Sequence, residues 1–219
     1  MSEVVPSPSS LAPVPAPGTI EYVDRCDQLG DLEACIAKHR KVLVRGIPGI
    51  GKTELTGQYC RRNRDAYSGN ICWINSEEPF PEITLRNFLC RVVPGDVNFS
   101  DDVPVTTQIL NYWEHWPCHK FLLVFDNLTR SKDISFLLPP PGDWFHCLVT
   151  SNSMRQLSLF RGFDVAPLEP ADAFELLRHR LGDEVDNDPA FYMQLCRRVH
   201  YHPDCVHRIA SVFLEEEAR

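Results

Sequence analysis

Residues 41–53, which read KVLVRGIPGIGKT, join a short apolar run to a glycine-rich loop. The apolar residues 42–44 predict a buried strand. Gly46, Gly51, Lys52 and Thr53 then fall at the spacing G-x-x-x-x-G-K-T. Glycine has no Cβ to block a ligand or to forbid a dihedral angle, so the backbone N–H groups of such a loop can turn inward around a polyphosphate. We therefore predict a phosphate-binding loop between a strand and a helix.

The end of this loop predicts the contacts to phosphate and metal. Lys52 can reach the β and γ phosphates, and the Thr53 hydroxyl can hold Mg²⁺. A helix expected to start at Gly51 adds its positive N-terminal end at the same point. The predicted nucleotide site includes the whole loop and its continuation: Gly46, Ile47, Pro48, Gly49, Ile50, Gly51, Lys52, Thr53 and Glu54.

A second apolar run, FLLVF at residues 121–125, is closed by Asp126. Five large apolar residues without polar alternation predict a strand that is covered on both faces, as in the interior of a parallel sheet. Ligands of open α/β sheets bind at the carboxyl ends of the strands. We therefore predict that Asp126 and Thr53 hold Mg²⁺, since a hard cation prefers oxygen ligands. An acid that caps the following helix is the alternative for Asp126.

Asn127 follows this acid, where many P-loop hydrolases carry a second carboxylate. An amide cannot accept a proton from the attacking water. Hydrolysis is therefore expected to be slow or to need outside help. Lys52, Asp126 and Asn127 are the residues predicted to act on the phosphates.

Strand and helix patterns alternate along most of the chain, and helical patterns alone follow Leu168. Further strands are predicted at 71–75, 146–151 and 163–165, and helices near 81–93, 104–116, 170–181, 189–200 and 203–217. This order predicts a parallel-sheet α/β P-loop NTPase domain over residues 19–167, followed by a small helical domain over 168–219. Residues 1–18, rich in proline and serine, predict a disordered lead.

Composition narrows the class of partner. The formal charge of −8 argues against wrapping nucleic acid or binding an anionic membrane surface, because both need a basic face. Nine cysteines without any C-x-x-C pair indicate a reduced, cytoplasmic protein. No apolar stretch approaches the roughly 20 residues that span a bilayer.

In these motifs the chain resembles the NB-ARC domain of the STAND class of signal-transduction ATPases. The resemblance runs from Tyr22 to the C-terminus, and its segments occur in the order of the family: YVDR, GIPGIGKT, ICWIN, FLLVFDN, HCLVTSNS and VAPLEPADAFELL. It implies ATP or ADP with Mg²⁺ as the ligand. It also implies that Val23 and Arg25 lie near the adenine and that Pro203 packs against the base.

Three positions depart from the family pattern. Asp24 and Tyr201 stand where the family has glycine, and Asn152 stands where a γ-phosphate-sensing arginine often occurs. Asn152 is retained in the predicted nucleotide site because it follows the fourth strand. With these departures we still expect the chain to bind a nucleotide. We expect less of its ability to sense the γ phosphate, because Asn152 replaces the sensing arginine.

The resemblance implies an ATP/ADP switch in signal transduction or defence, including innate immunity. Its expected partners are an adenine nucleotide, further copies of itself in the activated state and other domains of a longer receptor. Three alternatives remain open: an ordinary P-loop ATPase, a small-molecule kinase, and a scaffold whose nucleotide site is degenerate. His200, His202, Cys205 and His207, with Cys196 before them, have the residue types of a zinc site, but Pro203 interrupts their geometry.

Overall fold

The computed structural model describes residues 14, 23, 25–93, 103–117, 119–129, 134–152 and 158–217 of the chain. Apart from Val14, the predicted disordered lead at 1–18 lies outside the described residues. Asp24 lies outside them as well. No helix among the described residues combines the length and the apolar character needed to cross a bilayer.

A five-stranded parallel sheet forms the centre of the molecule, in the order β2-β3-β4-β1-β5. The strands are β1 (Lys41–Arg45), β2 (Ile71–Asn75), β3 (Phe121–Asp126), β4 (Phe145–Ser151) and β5 (Arg161–Asp164). The predicted parallel α/β sheet is therefore confirmed. β4, rather than the more apolar β3, occupies the central position.

The helices follow the predicted segments closely. They are α1 (Cys26–His39), α2 (Lys52–Arg62), α3 (Pro81–Val92), α4 (Val105–Glu114), α5 (Pro170–Leu181), α6 (Pro189–Arg198) and α7 (Pro203–Glu217). Four of these helices begin at a proline, whose fixed φ suits the first helical position and whose missing N–H would have no partner there. The proline pattern thus explains why these starts could be predicted to within about two residues.

Two apolar layers cover the two faces of the sheet. Leu123 and Phe125 of β3 belong to a cluster that includes residues of α3 and α4, such as Phe88 and Trp113. The alternate residues of β3, Leu122 and Val124, belong to a second cluster with residues of α1 and α2. All six residues of β3 are buried because both faces are covered, as the unbroken apolar run predicted.

A third apolar cluster lies among the helices that follow the sheet. It includes Leu177 of α5, Cys196 of α6 and Val206 of α7, together with Leu168 from the segment before α5. Val23 packs against this cluster although it precedes the sheet in sequence. Helices α5, α6 and α7 therefore surround a core of their own.

Candidate functional site

The glycine-rich loop leaves β1 and turns directly into α2. Gly49 and Gly51 have φ of 76° and 95°, in the left-handed region where a Cβ would be strained. Gly51 is the N-cap of α2, and no side chain caps the helix there. The first N–H groups of α2 therefore have no hydrogen-bond partner within the helix. Such free N–H groups are what allows the start of a helix to bind an anion.

Lys52 places its charge at the centre of the loop. Its side chain is only 7% exposed. Its Nζ donates hydrogen bonds to the carbonyl oxygens of Gly46 and Ile47, both at 3.0 Å. Burial lowers the pKa of Lys52, and the nearby Asp126 carboxylate opposes that shift. Two carbonyl groups thus hold the ammonium within the loop, where it would meet a phosphate chain.

Thr53 and Asp126 come together as the sequence predicted. The Thr53 hydroxyl donates to Asp126 Oδ1 at 2.9 Å, which joins the start of α2 to the end of β3. A hydroxyl and a carboxylate are hard oxygen ligands of the kind that Mg²⁺ prefers. The donor set therefore fits the Mg²⁺ that the loop implies, which Thr53 and Asp126 would hold.

Thr150 of β4 is a site residue that the sequence did not reveal. Its hydroxyl donates to Asp126 Oδ1 at 2.6 Å and accepts a hydrogen bond from the backbone N–H of Asn127 at 2.8 Å. Thr150 pairs in register with Val44 of β1 on its other side. It therefore lies between the loop strand and the acid strand. One feature of the sequence could have identified Thr150: it is a polar residue near the carboxyl end of a buried strand, where ligands of such sheets bind.

Asn127 has a left-handed backbone, with φ of 59°. Asparagine tolerates this conformation better than most residues. Its Nδ2 donates to Glu77 Oε1 at 2.6 Å, so the amide reaches the turn that follows β2. Sequence reasoning missed Glu77, because 50 residues separate it from Asn127.

A cleft of about 500 Å³ opens at this edge of the sheet. This volume falls in the range of small-ligand sites. Its walls come from both the α/β part and the helices that follow it. The residues that line it are Val23, Arg25, Pro48, Gly49, Gly51, Lys52, Thr53, Glu54, Gln58, Asn127, Thr150, Asn152, Leu168, Leu176, Pro203, Asp204 and His207. Most of the predicted site residues, including Val23, Arg25, Asn152 and Pro203, therefore lie in one cleft.

Four predicted site residues do not line the cleft: Gly46, Ile47, Ile50 and Asp126. Asp126 lies behind Thr53, whose hydroxyl donates to it. Ile47 is 58% exposed, whereas Ile50 is buried in the apolar layer beneath α1 and α2. Gly46 and Ile47 contribute through their carbonyl groups, which accept hydrogen bonds from Lys52. The residues between the glycines of the loop therefore differ in role: the side chain of Ile50 packs in the core, whereas Ile47 contributes its carbonyl group to Lys52.

Arg25 fastens the loop to the segment that precedes α5. Its Nη2 donates to the carbonyl of Ile50 at 2.8 Å, and its Nη1 donates to the carbonyl of Ala166 at 3.1 Å. The side chain is nearly buried. Arg25 thus borders the cleft, where the resemblance placed it, and also holds the loop backbone in position. Its approach to an adenine stays a prediction.

The turn before α7 lies directly against the loop. His202 Nε2 donates to the carbonyl of Pro48 at 3.1 Å. A Cβ built on Gly49 would come within 2.7 Å of Asp204 Cβ and 3.0 Å of His202 Cε1. Gly49 is therefore required by this close approach as well as by its left-handed φ.

Gln58 of α2 is a buried polar residue in the cleft wall. Its side chain is 6% exposed, and no described residue donates a hydrogen bond to its Oε1. A buried acceptor without a donor is costly, and this oxygen has less than 1 Å² of accessible surface, so a ligand can donate to it only after the side chain moves. The sequence predicted only that this part of α2 would be helical.

The histidine and cysteine residues near α7 that the sequence offered as a zinc site are not arranged as metal ligands in the described part of the chain. Within the described part of the chain, no three His, Cys, Asp or Glu side chains are arranged to hold a metal ion. His202 instead contacts Pro48, and the Cys196 thiol lies 3.7 Å from the carbonyl of Ala173.

Comparison with solved structures identifies the fold. A STAND protein with a tetratricopeptide repeat sensor from Pyrococcus horikoshii matches with a TM-score of 0.53 and 20% identity over 86% of this chain and 30% of that chain. Cdc6p from Pyrobaculum aerophilum matches with a TM-score of 0.52 and 14% identity over 74% of this chain and 51% of that chain. No protein-family profile and no curated protein sequence matches the chain.

Both matched structures share the architecture of this chain. Their sequence identities of 20% and 14% are low enough that the likeness shows the fold and not the function. The chain spans 30% of the length of the first protein and 51% of the second. The predicted P-loop NTPase fold is therefore confirmed, and one of the matched structures belongs to the STAND class. Membership of the NB-ARC family within that fold stays a prediction. The chain has the fold of a P-loop ATPase.

Proposed function

We propose that this chain binds ATP or ADP with Mg²⁺ in the cleft and acts as a nucleotide-dependent switch in signal transduction. The observation that carries the proposal is that Lys52 and Thr53 line one end of a cleft whose other walls include residues of α5 and α7, with Asp126 hydrogen-bonded to Thr53 behind that end. Lys52 would neutralise the phosphates, and Thr53 with Asp126 would hold Mg²⁺. The metal would supply charge neutralisation between the phosphate oxygens.

The apolar part of the cleft supports an aromatic base as the remainder of the ligand. Val23, Leu168, Leu176 and Pro203 offer apolar surface around it. Gln58 also lines the cleft, and a rotation that exposes its Oε1 would let the amino group of adenine or a ribose hydroxyl donate to it. The apolar surface would then contact the base.

Switching follows if the ligand binds two arrangements of the chain with different affinity. The cleft is bounded by residues 19–167 on one side and by residues 168–219 on the other, which we propose to act as two domains. ADP would favour the arrangement in which His202 contacts Pro48. ATP would favour its release, and the exposed surface would then assemble with further copies of the chain.

The first test is nucleotide-dependent stabilisation of the purified protein. ADP with Mg²⁺ at about 100 times its Kd should stabilise the fold by about 2.7 kcal/mol and raise the melting temperature. Lys52→Ala should lose most of this shift, because the phosphates lose their cation. Lys38→Ala on the exposed surface of α1 is the control and should keep it. A wild-type melting temperature that ADP does not change would favour the scaffold with a degenerate site.

A further inference from the structure

The turn after β2 carries a carboxylate to the end of β3. Asn75 pairs in register with Asp126, and the N–H of Ser76 donates to the carbonyl of Asp126 at 2.7 Å. Glu77 follows this anchored residue, and its own N–H donates to Asn75 Oδ1 at 3.0 Å. The backbone that bears Glu77 is therefore held against the strand that ends in the predicted metal ligand.

Asn127, which lines the cleft, binds the side chain of Glu77. Its Nδ2 donates to Glu77 Oε1 at 2.6 Å, and Asn127 itself lines the cleft beside Lys52 and Thr53. Its left-handed φ is uncommon for a residue other than glycine, and its N–H is held by Thr150. A sparsely populated backbone conformation held in place from both sides is a frequent feature of functional sites.

We propose that Glu77 is the general base for ATP hydrolysis in this chain, with Asn127 as the residue that positions it. The inference rests on the proposed nucleotide site. An amide cannot accept the proton of the attacking water, but it can hold a carboxylate that does. Many P-loop hydrolases carry a second acid directly after the residue that corresponds to Asp126. In this chain the turn after β2 would supply that acid as Glu77, which Asn127 holds by a hydrogen bond.

Three other acids at or beside the cleft, Asp126, Glu54 and Asp204, have partners of their own. Asp204 forms an ion pair with Arg208 at 2.9 Å. Oδ1 of Asp126 accepts hydrogen bonds from the hydroxyls of both Thr53 and Thr150. Glu54 forms an ion pair with Arg61 at 2.6 Å. Glu77 is exposed, so water can reach its carboxylate while Asn127 holds one of its oxygens.

The reaction is hydrolysis of the terminal phosphoanhydride. The water oxygen forms a bond to the γ phosphorus while the bond from that phosphorus to the β–γ bridging oxygen breaks. One proton of the water passes to the carboxylate of Glu77. The bridging oxygen leaves on ADP with the bonding electron pair, and the other product is inorganic phosphate.

Glu77→Gln tests the proposal, and Glu78→Gln is its matched control. The neighbouring carboxylate of Glu78 accepts a hydrogen bond from Thr84 at the start of α3, away from Asn127. Single-turnover hydrolysis of ATP should fall by about 100-fold or more in Glu77→Gln. The nucleotide-induced shift in melting temperature should remain in both variants, and Glu78→Gln should hydrolyse ATP at the wild-type rate.

A double-mutant cycle tests the positioning by Asn127. Asn127→Ala should slow hydrolysis in the wild-type background and should have little further effect on Glu77→Gln, because it acts through the same carboxylate. Additive losses would overturn the positioning by Asn127. If Glu77→Gln does not fold, Glu77→Asp replaces it, since moving the acid by one methylene should also slow hydrolysis.

The results separate this inference from the proposed function. A wild-type protein that binds ATP without hydrolysing it overturns Glu77 as the base and leaves the nucleotide switch standing. Wild-type hydrolysis rates in Glu77→Gln or Glu77→Asp overturn it as well. A wild-type protein whose melting temperature no nucleotide changes overturns both.

Discussion

At the scale of single residues, the site depends on which polar atoms meet at the ends of the strands. Asp126 and Asn127 are adjacent in sequence, yet their partners come from α2, β4 and the turn after β2. Asp126 faces hydroxyl groups, whereas Asn127 faces a carboxylate. This difference in partners explains how an amide can stand where a second acid was expected.

The pair formed by Asn127 and Glu77 makes the substitution Asn127→Asp informative. From the sequence alone, an aspartate at this position would supply a second acid and raise turnover. Because Nδ2 lies 2.6 Å from Glu77 Oε1, the substitution instead replaces a donor with a second carboxylate. Like charges at that distance repel, so one of the two carboxyl groups should bind a proton more tightly.

We therefore expect Asn127→Asp to lower the melting temperature and to slow ATP hydrolysis. The stability loss should be about 1 kcal/mol and should shrink as the pH falls and one carboxyl becomes protonated. Thermal melts between pH 4 and pH 8 measure it, with Asn127→Ala as the variant without the added charge. A faster rate for Asn127→Asp than for the wild type would favour the simpler expectation from the sequence.

At the scale of elements, the loop and the start of α7 constrain one another. Gly49 has a left-handed φ and lies against His202 and Asp204, whereas a Cβ added to Gly30 in α1 would meet no atom within 4 Å. The same substitution at the two positions should therefore have opposite effects. The two glycines form a matched pair for measuring the contact between the loop and α7.

Gly49→Ala should destabilise the protein by about 1–3 kcal/mol, because the new methyl group is strained by φ and collides with Asp204 Cβ. Gly30→Ala should stabilise it by about 0.5–1 kcal/mol, because alanine has the higher helix propensity. Denaturant unfolding of both variants measures the difference. Equal free energies of unfolding for the two would contradict the packing of α7 on the loop.

At the scale of the whole molecule, one cleft collects residues from the α/β part and from α5 and α7. Among the described residues, His202 donates a hydrogen bond from the later part to Pro48, and Val23 of the earlier part packs on the apolar cluster of α5, α6 and α7. A ligand bound between the two parts can therefore shift the balance between closed and open arrangements.

We expect the separation of the two parts to depend on the nucleotide. A spin-label or fluorophore pair on exposed positions, one on α1 and one on α6, should give a shorter mean distance with ADP than with ATP. Glu77→Gln, which should bind ATP without hydrolysing it, allows the ATP state to be measured. Lys52→Ala is the control in which neither nucleotide should change the distance. Identical distances with ADP and ATP would contradict a switch and leave nucleotide binding as a separate result.

The sequence by itself determined the strand, loop and helix around Lys52, the buried strand that ends in Asp126, and the helix starts at the prolines. These features depend on local periodicity, glycine spacing and fixed φ, which neighbouring residues in the chain set. Only the tertiary structure brought Thr150 and Gln58 to the cleft and Glu77 to Asn127. Their positions depend on the strand order and on how α2 and the later helices pack around the sheet. Contacts across strands join residues distant in sequence, so no local pattern contains them.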